Sequence, residues 1–100
     1  MLSDDELRRL LRQGEADHIE RTQGVNDRHK FGESICAFAN DLPDRRQVGV
    51  LFVGVSDNGD CAMAILEATP SDNPPVKFDG RVCVRIGPRC GLAIRASAAV

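Results

Sequence analysis

Lys77, Arg81, Arg85 and Arg89 are the residues whose type and spacing most directly suggest chemistry. In Arg81-Val82-Cys83-Val84-Arg85-Ile86, charged and apolar types alternate, the period of a strand. Val82, Val84 and Ile86 then face a core, while Arg81, Cys83 and Arg85 face the other way. Arginines in a row on one strand face can follow a phosphate backbone, and Arg45 and Arg46 on an earlier loop add two cations. A solvated strand face balanced by nearby acids explains the same residues, and the pattern leaves these two readings level. Base stacking has little support: the chain has no Trp or Tyr, and of its four phenylalanines only Phe78 falls in a predicted loop. Any contact with nucleic acid is therefore expected to be electrostatic and sensitive to salt.

Other chemistries find less. Gly87-Pro88-Arg89-Cys90-Gly91 follows a predicted strand but lacks the Gly-Lys-Ser/Thr spacing of a P-loop, which rules out nucleotide binding by that mechanism. Cys36, Cys61, Cys83 and Cys90 form no C-x-x-C pair, and His18 and His29 precede all of them, so no zinc site is expected and the thiols read as reduced. Cys90, beside Arg89 and a glycine, reads as an incidental thiol. Neither histidine has a nucleophile partnered with it in the sequence.

A chain of 100 residues supports one hydrophobic core, so a single domain over 1–100 is expected. The formal net charge of −2 does not draw the whole molecule to a polyanion, so binding would need a local basic face made by the fold. The opening Met1-Leu2-Ser3-Asp4-Asp5-Glu6 is not a signal peptide, and no run approaches the roughly 18 apolar residues of a membrane span. A cytoplasmic setting and no membrane partner are expected.

The elements that must position these residues can be read in order. Ser3 and Glu6 have capping-box spacing, and Leu7, Leu10 and Leu11 line one face of a helix that Gly14 ends. A short extended segment follows around Ile19-Glu20 and runs into a loop. Asn26 or Asp27 caps a second helix to about Asn40, buried along Phe31, Ile35, Phe38 and Ala39. After a polar turn at 41–46, Val48 to Val55 is a nearly continuous apolar run, the mark of a strand covered on both faces. Turn residues 56–60 close it. Ala62 to Ala68 is a second apolar run, read as a strand, and a proline-bearing loop spans Pro70 to Pro75. The tail from Gly91 holds a short strand before small residues that fray. The expected architecture is α/β or α+β, two helices packed on a small mixed sheet whose central strand is Val48 to Val55.

Several of these pieces, in order, resemble the AlbA-like nucleic-acid-binding domain of the Schlafen group. They are Gly14-Glu15 with Ile19-Glu20, then Ile35-Cys36-Ala37-Phe38-Ala39-Asn40, then Gly49-Val50-Leu51-Phe52-Val53-Gly54-Val55 leading to Asp57 and Gly59. Pro70-Ser71, Pro74-Pro75-Val76 and Gly80-Arg81-Val82-Cys83-Val84-Arg85-Ile86-Gly87 complete the set. The same module occurs in bacterial proteins described as divergent AAA-type or as transcriptional regulators. The chain departs from the pattern twice. Glu20-Arg21-Thr22 stands where the family has Glu-Phe-Lys, so the family's lysine is absent. Cys61 also leads almost directly into Ala64, which implies a shortened middle segment near 61–64.

The resemblance implies a nucleic-acid-binding module of a regulator or defence protein. In nuclease-competent members, the positions resembling Glu15, Glu20 and Asp57 supply carboxylates for a divalent cation. Mg²⁺ or Mn²⁺ prefers such oxygen ligands and activates a bound water for phosphodiester cleavage. No other cofactor is implied. Read without the resemblance, these carboxylates are solvated surface groups, and Asp57-Asn58-Gly59 is a turn. The missing lysine removes a cation that would steady the charged transition state, which favours binding over catalysis. A third reading is a protein-interaction or homo-oligomerisation module, using a sheet edge that the shortened segment leaves exposed.

Overall fold

Ser3 opens the first helix, its Oγ accepting from the Glu6 N–H at 3.2 Å. This helix, α1 (Asp4–Gln13), buries Leu7 and Leu11 and stops at Gly14, whose φ of 92° disfavours any side chain. A computed structural model describes the protein at residues 2–14, 16–41, 44–56, 59, 62–71 and 95–98. The predicted strand at Arg81–Ile86 lies outside these residues.

The second helix, α2 (Arg28–Asn40), begins where the Asp27 carboxylate accepts from the Lys30 N–H at 3.0 Å. It ends at Asp41, left-handed at φ 47°, whose N–H donates to the Ala37 carbonyl at 3.1 Å. Phe31, Ile35, Phe38 and Ala39 are all buried, the stripe their spacing predicts.

Among the described residues there are four strands: β1 (Ile19–Thr22), β2 (Gly49–Val53), β3 (Ala64–Ala68) and β4 (Arg95–Ala98). They form one mixed sheet in the order β1-β2-β3-β4. β1 runs parallel to β2 with Ile19 beside Val50, so β1, α2 and β2 make a βαβ unit. β3 returns antiparallel with Val53 opposite Ala64, and β4 runs parallel to β3 with Ile65 beside Arg95. The apolar run expected from 48 to 55 is cut at Gly54, left-handed at φ 69°, but Val55 stays buried and donates to the Thr22 carbonyl at 2.9 Å.

The sheet is covered on both faces. Leu7, Leu11, Ile19, Val50, Phe52 and Ile65 pack on the α1 side, with Val55 and Ala62 extending that cluster. Phe31, Ile35, Phe38, Leu51, Val53, Ala64, Leu66 and Ala68 pack on the α2 side. Alternate residues of β2 thus serve opposite cores, which is why its sequence is apolar without a break. The molecule is α+β, with one helix on each face of the mixed sheet. β2 and β3 are both interior, and among the described strands β1 and β4 are outermost.

Candidate nucleic-acid interface

β1 separates the residues that the sequence sets side by side. Ile19 points into the α1-side cluster, so strand alternation puts Arg21 on that face and Glu20 and Thr22 on the other. Glu20 is half-buried next to Leu51, and Thr22, which stands where the family's lysine would be, shares its side. Glu15 and Asp57 lie outside the described residues, and among those described no three His, Cys, Asp or Glu side chains form a group able to hold a metal.

Arg21 takes a place where the family has an apolar residue. It is half-buried beside Phe52 in the register, and its Nη2 donates to the Gly59 carbonyl at 3.4 Å. Its Nη1 lies 3.9 Å from where a Gly14 Cβ would stand, and Nη2 only 2.6 Å from where a Gly59 Cβ would stand. One guanidinium therefore bonds the turn after β2 and lies beside the turn after α1. A side chain at 59 would have to displace the flexible Arg21 guanidinium, and the φ of 77° at Gly59 is itself a conformation that favours glycine.

Arg45 and Arg46 are positioned by Asp41. The Asp41 carboxylate accepts from the Arg45 N–H at 3.0 Å and the Arg46 N–H at 2.8 Å, and its carbonyl accepts from the Asp44 N–H at 2.8 Å. The loop is held in a conformation with Asp44 and Arg46 both at φ 54°. The side chains meet acids: Arg45 Nη2 lies 3.1 Å from Asp17, and Arg46 Nε lies 3.3 Å from Asp44. Both pairs are well exposed, so each is worth about 0–1 kcal/mol, little enough for a phosphate to displace the acid. Lys77, Arg81, Arg85 and Arg89 lie outside the described residues.

Two features are not evident from the sequence. Glu67 is only 3% exposed on the α1 side of β3, where the Leu2 N–H donates to its Oε1 at 3.4 Å. It stands at the end of an apolar run, and nothing in its neighbours' types marks it as buried. The exposed arginines of α1, Arg8, Arg9 and Arg12, form no ion pair among the described residues. A signal for them exists, since they fall off the leucine line of an amphipathic helix.

A protein-family model described as Schlafen, AlbA_2 matches residues 15–67, more than half of the chain. The chain belongs to this family. The match begins at Glu15 and ends within β3, so it takes in β1, α2, β2 and the hairpin between β2 and β3. Schlafen AlbA_2 membership points to a nucleic-acid-related domain, in line with the resemblance in the sequence. No curated protein and no solved structure matches the chain. Among the described residues, no helix is long and apolar enough to cross a membrane.

Proposed function

We propose that this Schlafen AlbA_2 chain is a cytoplasmic nucleic-acid-binding module, part of a regulator or defence protein, that grips phosphates through a basic strand face. The observation that carries the reading is the family match over residues 15–67. Arg81 and Arg85, four apart in an alternating segment, are the central contacts, with Lys77 and Arg89 beside them. Arg45 and Arg46 are auxiliary contacts, because their weak surface pairs can be exchanged for phosphate. A net charge of −2 makes such binding depend on local patches.

The test is binding of labelled single-stranded and duplex DNA and RNA across a salt series. The double variant Arg81→Glu with Arg85→Glu is expected to lose binding by tenfold or more, and unchanged affinity would sink the reading. The same samples, incubated with Mn²⁺ or Mg²⁺, test for cleavage. Metal-dependent cleavage that disappears in Glu20→Ala would make the chain a nuclease with Glu15, Glu20 and Asp57 as its carboxylates. Cleavage that persists in that variant would identify a contaminant.

A further inference from the structure

We propose that the outer surface of α1 and the cleft beside it form a site for single-stranded nucleic acid, with Arg8, Arg9 and Arg12 on the phosphates and an unstacked base against His18. The proposal deepens the reading above and rests on it. It names a second contact surface and the form of nucleic acid held there.

Three observations support it. First, among the described residues the α1 arginines have no acid partners, although acids stand in range by sequence. Asp5 lies four residues before Arg9, the spacing that favours helical ion pairs, yet among the described residues no pair forms between them. Elsewhere the protein does use that spacing: on α2, His29 and Glu33 approach to 2.7 Å. The acids instead occupy the first turn of α1 and the arginines the turns after it, in accord with the helix dipole. Arg8 and Arg12 are thus one turn apart, about 6 Å along the axis, with Arg9 adjoining them on the exposed side.

Second, Arg9 borders a cleft of about 330 Å³ between α1 and the start of β2. Leu2, Leu10 and Val48 give it apolar walls, and His18 and Gln47 supply polar and ring surface. Glu6 adds a carboxylate that can accept from a base's amino group but stands against a phosphate, leaving the phosphate to Arg9 and its neighbours on the outer face. An unstacked base needs these things: a ring to lie on, hydrogen-bonding groups at its edge, and a cation where its phosphate emerges. A duplex keeps its bases stacked and offers nothing to such a cleft.

Third, the chemistry favours a nucleic-acid strand over an anionic membrane. A helix that binds a lipid surface must offer its apolar face, and Leu7 and Leu11 of α1 are already committed to the core.

The experiment compares the full chain with Arg8→Gln/Arg9→Gln/Arg12→Gln, with His18→Ala, with Arg81→Glu/Arg85→Glu, and with Arg28→Gln as an exposed-charge control on α2. Circular dichroism checks that each is folded. Fluorescence anisotropy follows a labelled single strand, the matching duplex, and vesicles containing phosphatidylserine. The triple variant is expected to bind the single strand at least tenfold more weakly, with the slope of log K against log salt lowered by about 2, roughly 0.7 for each phosphate left without its arginine. His18→Ala is expected to weaken single-strand binding by roughly tenfold, the scale of one stacked base, and to leave duplex binding unchanged. Arg28→Gln is expected to bind like the unaltered chain. If the unaltered chain binds but the triple variant binds equally well, the α1 site is overturned while the strand-face reading stands. Equal losses of single strand and duplex in His18→Ala overturn the base cleft. Binding to vesicles in place of nucleic acid overturns the choice of ligand, and no binding to any nucleic acid overturns both readings.

Discussion

Gly49 lies where α2 packs over the first residue of β2, and a Cβ built on it would fall on the Cβ and ring of Phe38. The Phe38 atoms involved are the root of its side chain, held by the helix backbone, so the ring cannot swing aside to make room. Gly49→Ala is therefore expected to destabilise by about 1–3 kcal/mol through overpacking, which in a domain of this size lowers Tm by roughly 4–8 °C per kcal/mol. Thermal unfolding followed by circular dichroism measures it. Adding Phe38→Ala, which removes the Cγ and ring, to Gly49→Ala should give a double variant less destabilised than the sum of the two singles, because the two residues share one contact. Strict additivity would show that the glycine is kept for some other reason. Arg21 at the same scale shows how one replacement changes a site. A guanidinium on an apolar strand face survives by reaching the Gly59 carbonyl, which ties β1 to the turn after β2.

The helices depend on their caps in different degrees. Asp27 holds the start of α2, whose core stripe anchors one whole face of the sheet, and its carboxylate meets the Lys30 N–H at 3.0 Å. Asp27→Ala is expected to cost about 1 kcal/mol, the usual value of a side-chain cap. Chemical denaturation should show it as a lower midpoint with an unchanged slope, since no additional surface is exposed. A changed slope would mean that α2 unravels locally. Elements of this kind were legible in the sequence because capping and leucine spacing are local: Ser3 and Asp27 cap where predicted, and the apolar stripes of both helices are buried. The burial of β2 on both faces was legible for the same reason, in Val50 to Val53. Register was not, because it depends on which strand lies beside which. Only the pairing of Ile19 with Val50 reveals that Glu20 and Arg21 face opposite layers. The pair between Arg45 and Asp17 was hidden likewise, its partners brought together from the end of one loop and the turn before β1. The α1 arginines were visible as residues, but whether acids pair with them is a property of the folded helix. The strand expected at Arg81–Ile86 falls outside the described residues, whereas the short strand expected in the tail is present as β4.

A sheet clad by α1 on one side and α2 on the other has two apolar clusters that share only the strands between them. Those strands are β2 and β3, interior and fully buried, so neither helix can leave without exposing a face of the same central pair. The two layers should therefore unfold together despite having separate side-chain contacts. Leu11→Ala on the α1 side and Leu66→Ala on the α2 side test this, each expected to cost about 2–5 kcal/mol by leaving a cavity. Each variant should show one transition, at the same midpoint whether followed by circular dichroism or by hydrogen exchange in β2. Their effects in the double variant should add to within about 0.5 kcal/mol, because the two side chains lie on opposite faces with no shared partner. If Leu11→Ala instead produces an early transition that leaves the α2 layer intact, α1 is a separable flap, and the arginines it carries would move with it as an independent arm. A single additive transition makes α1 a fixed wall of the molecule and its arginines a rigid surface, the condition under which three cations can hold a fixed spacing against a phosphate backbone.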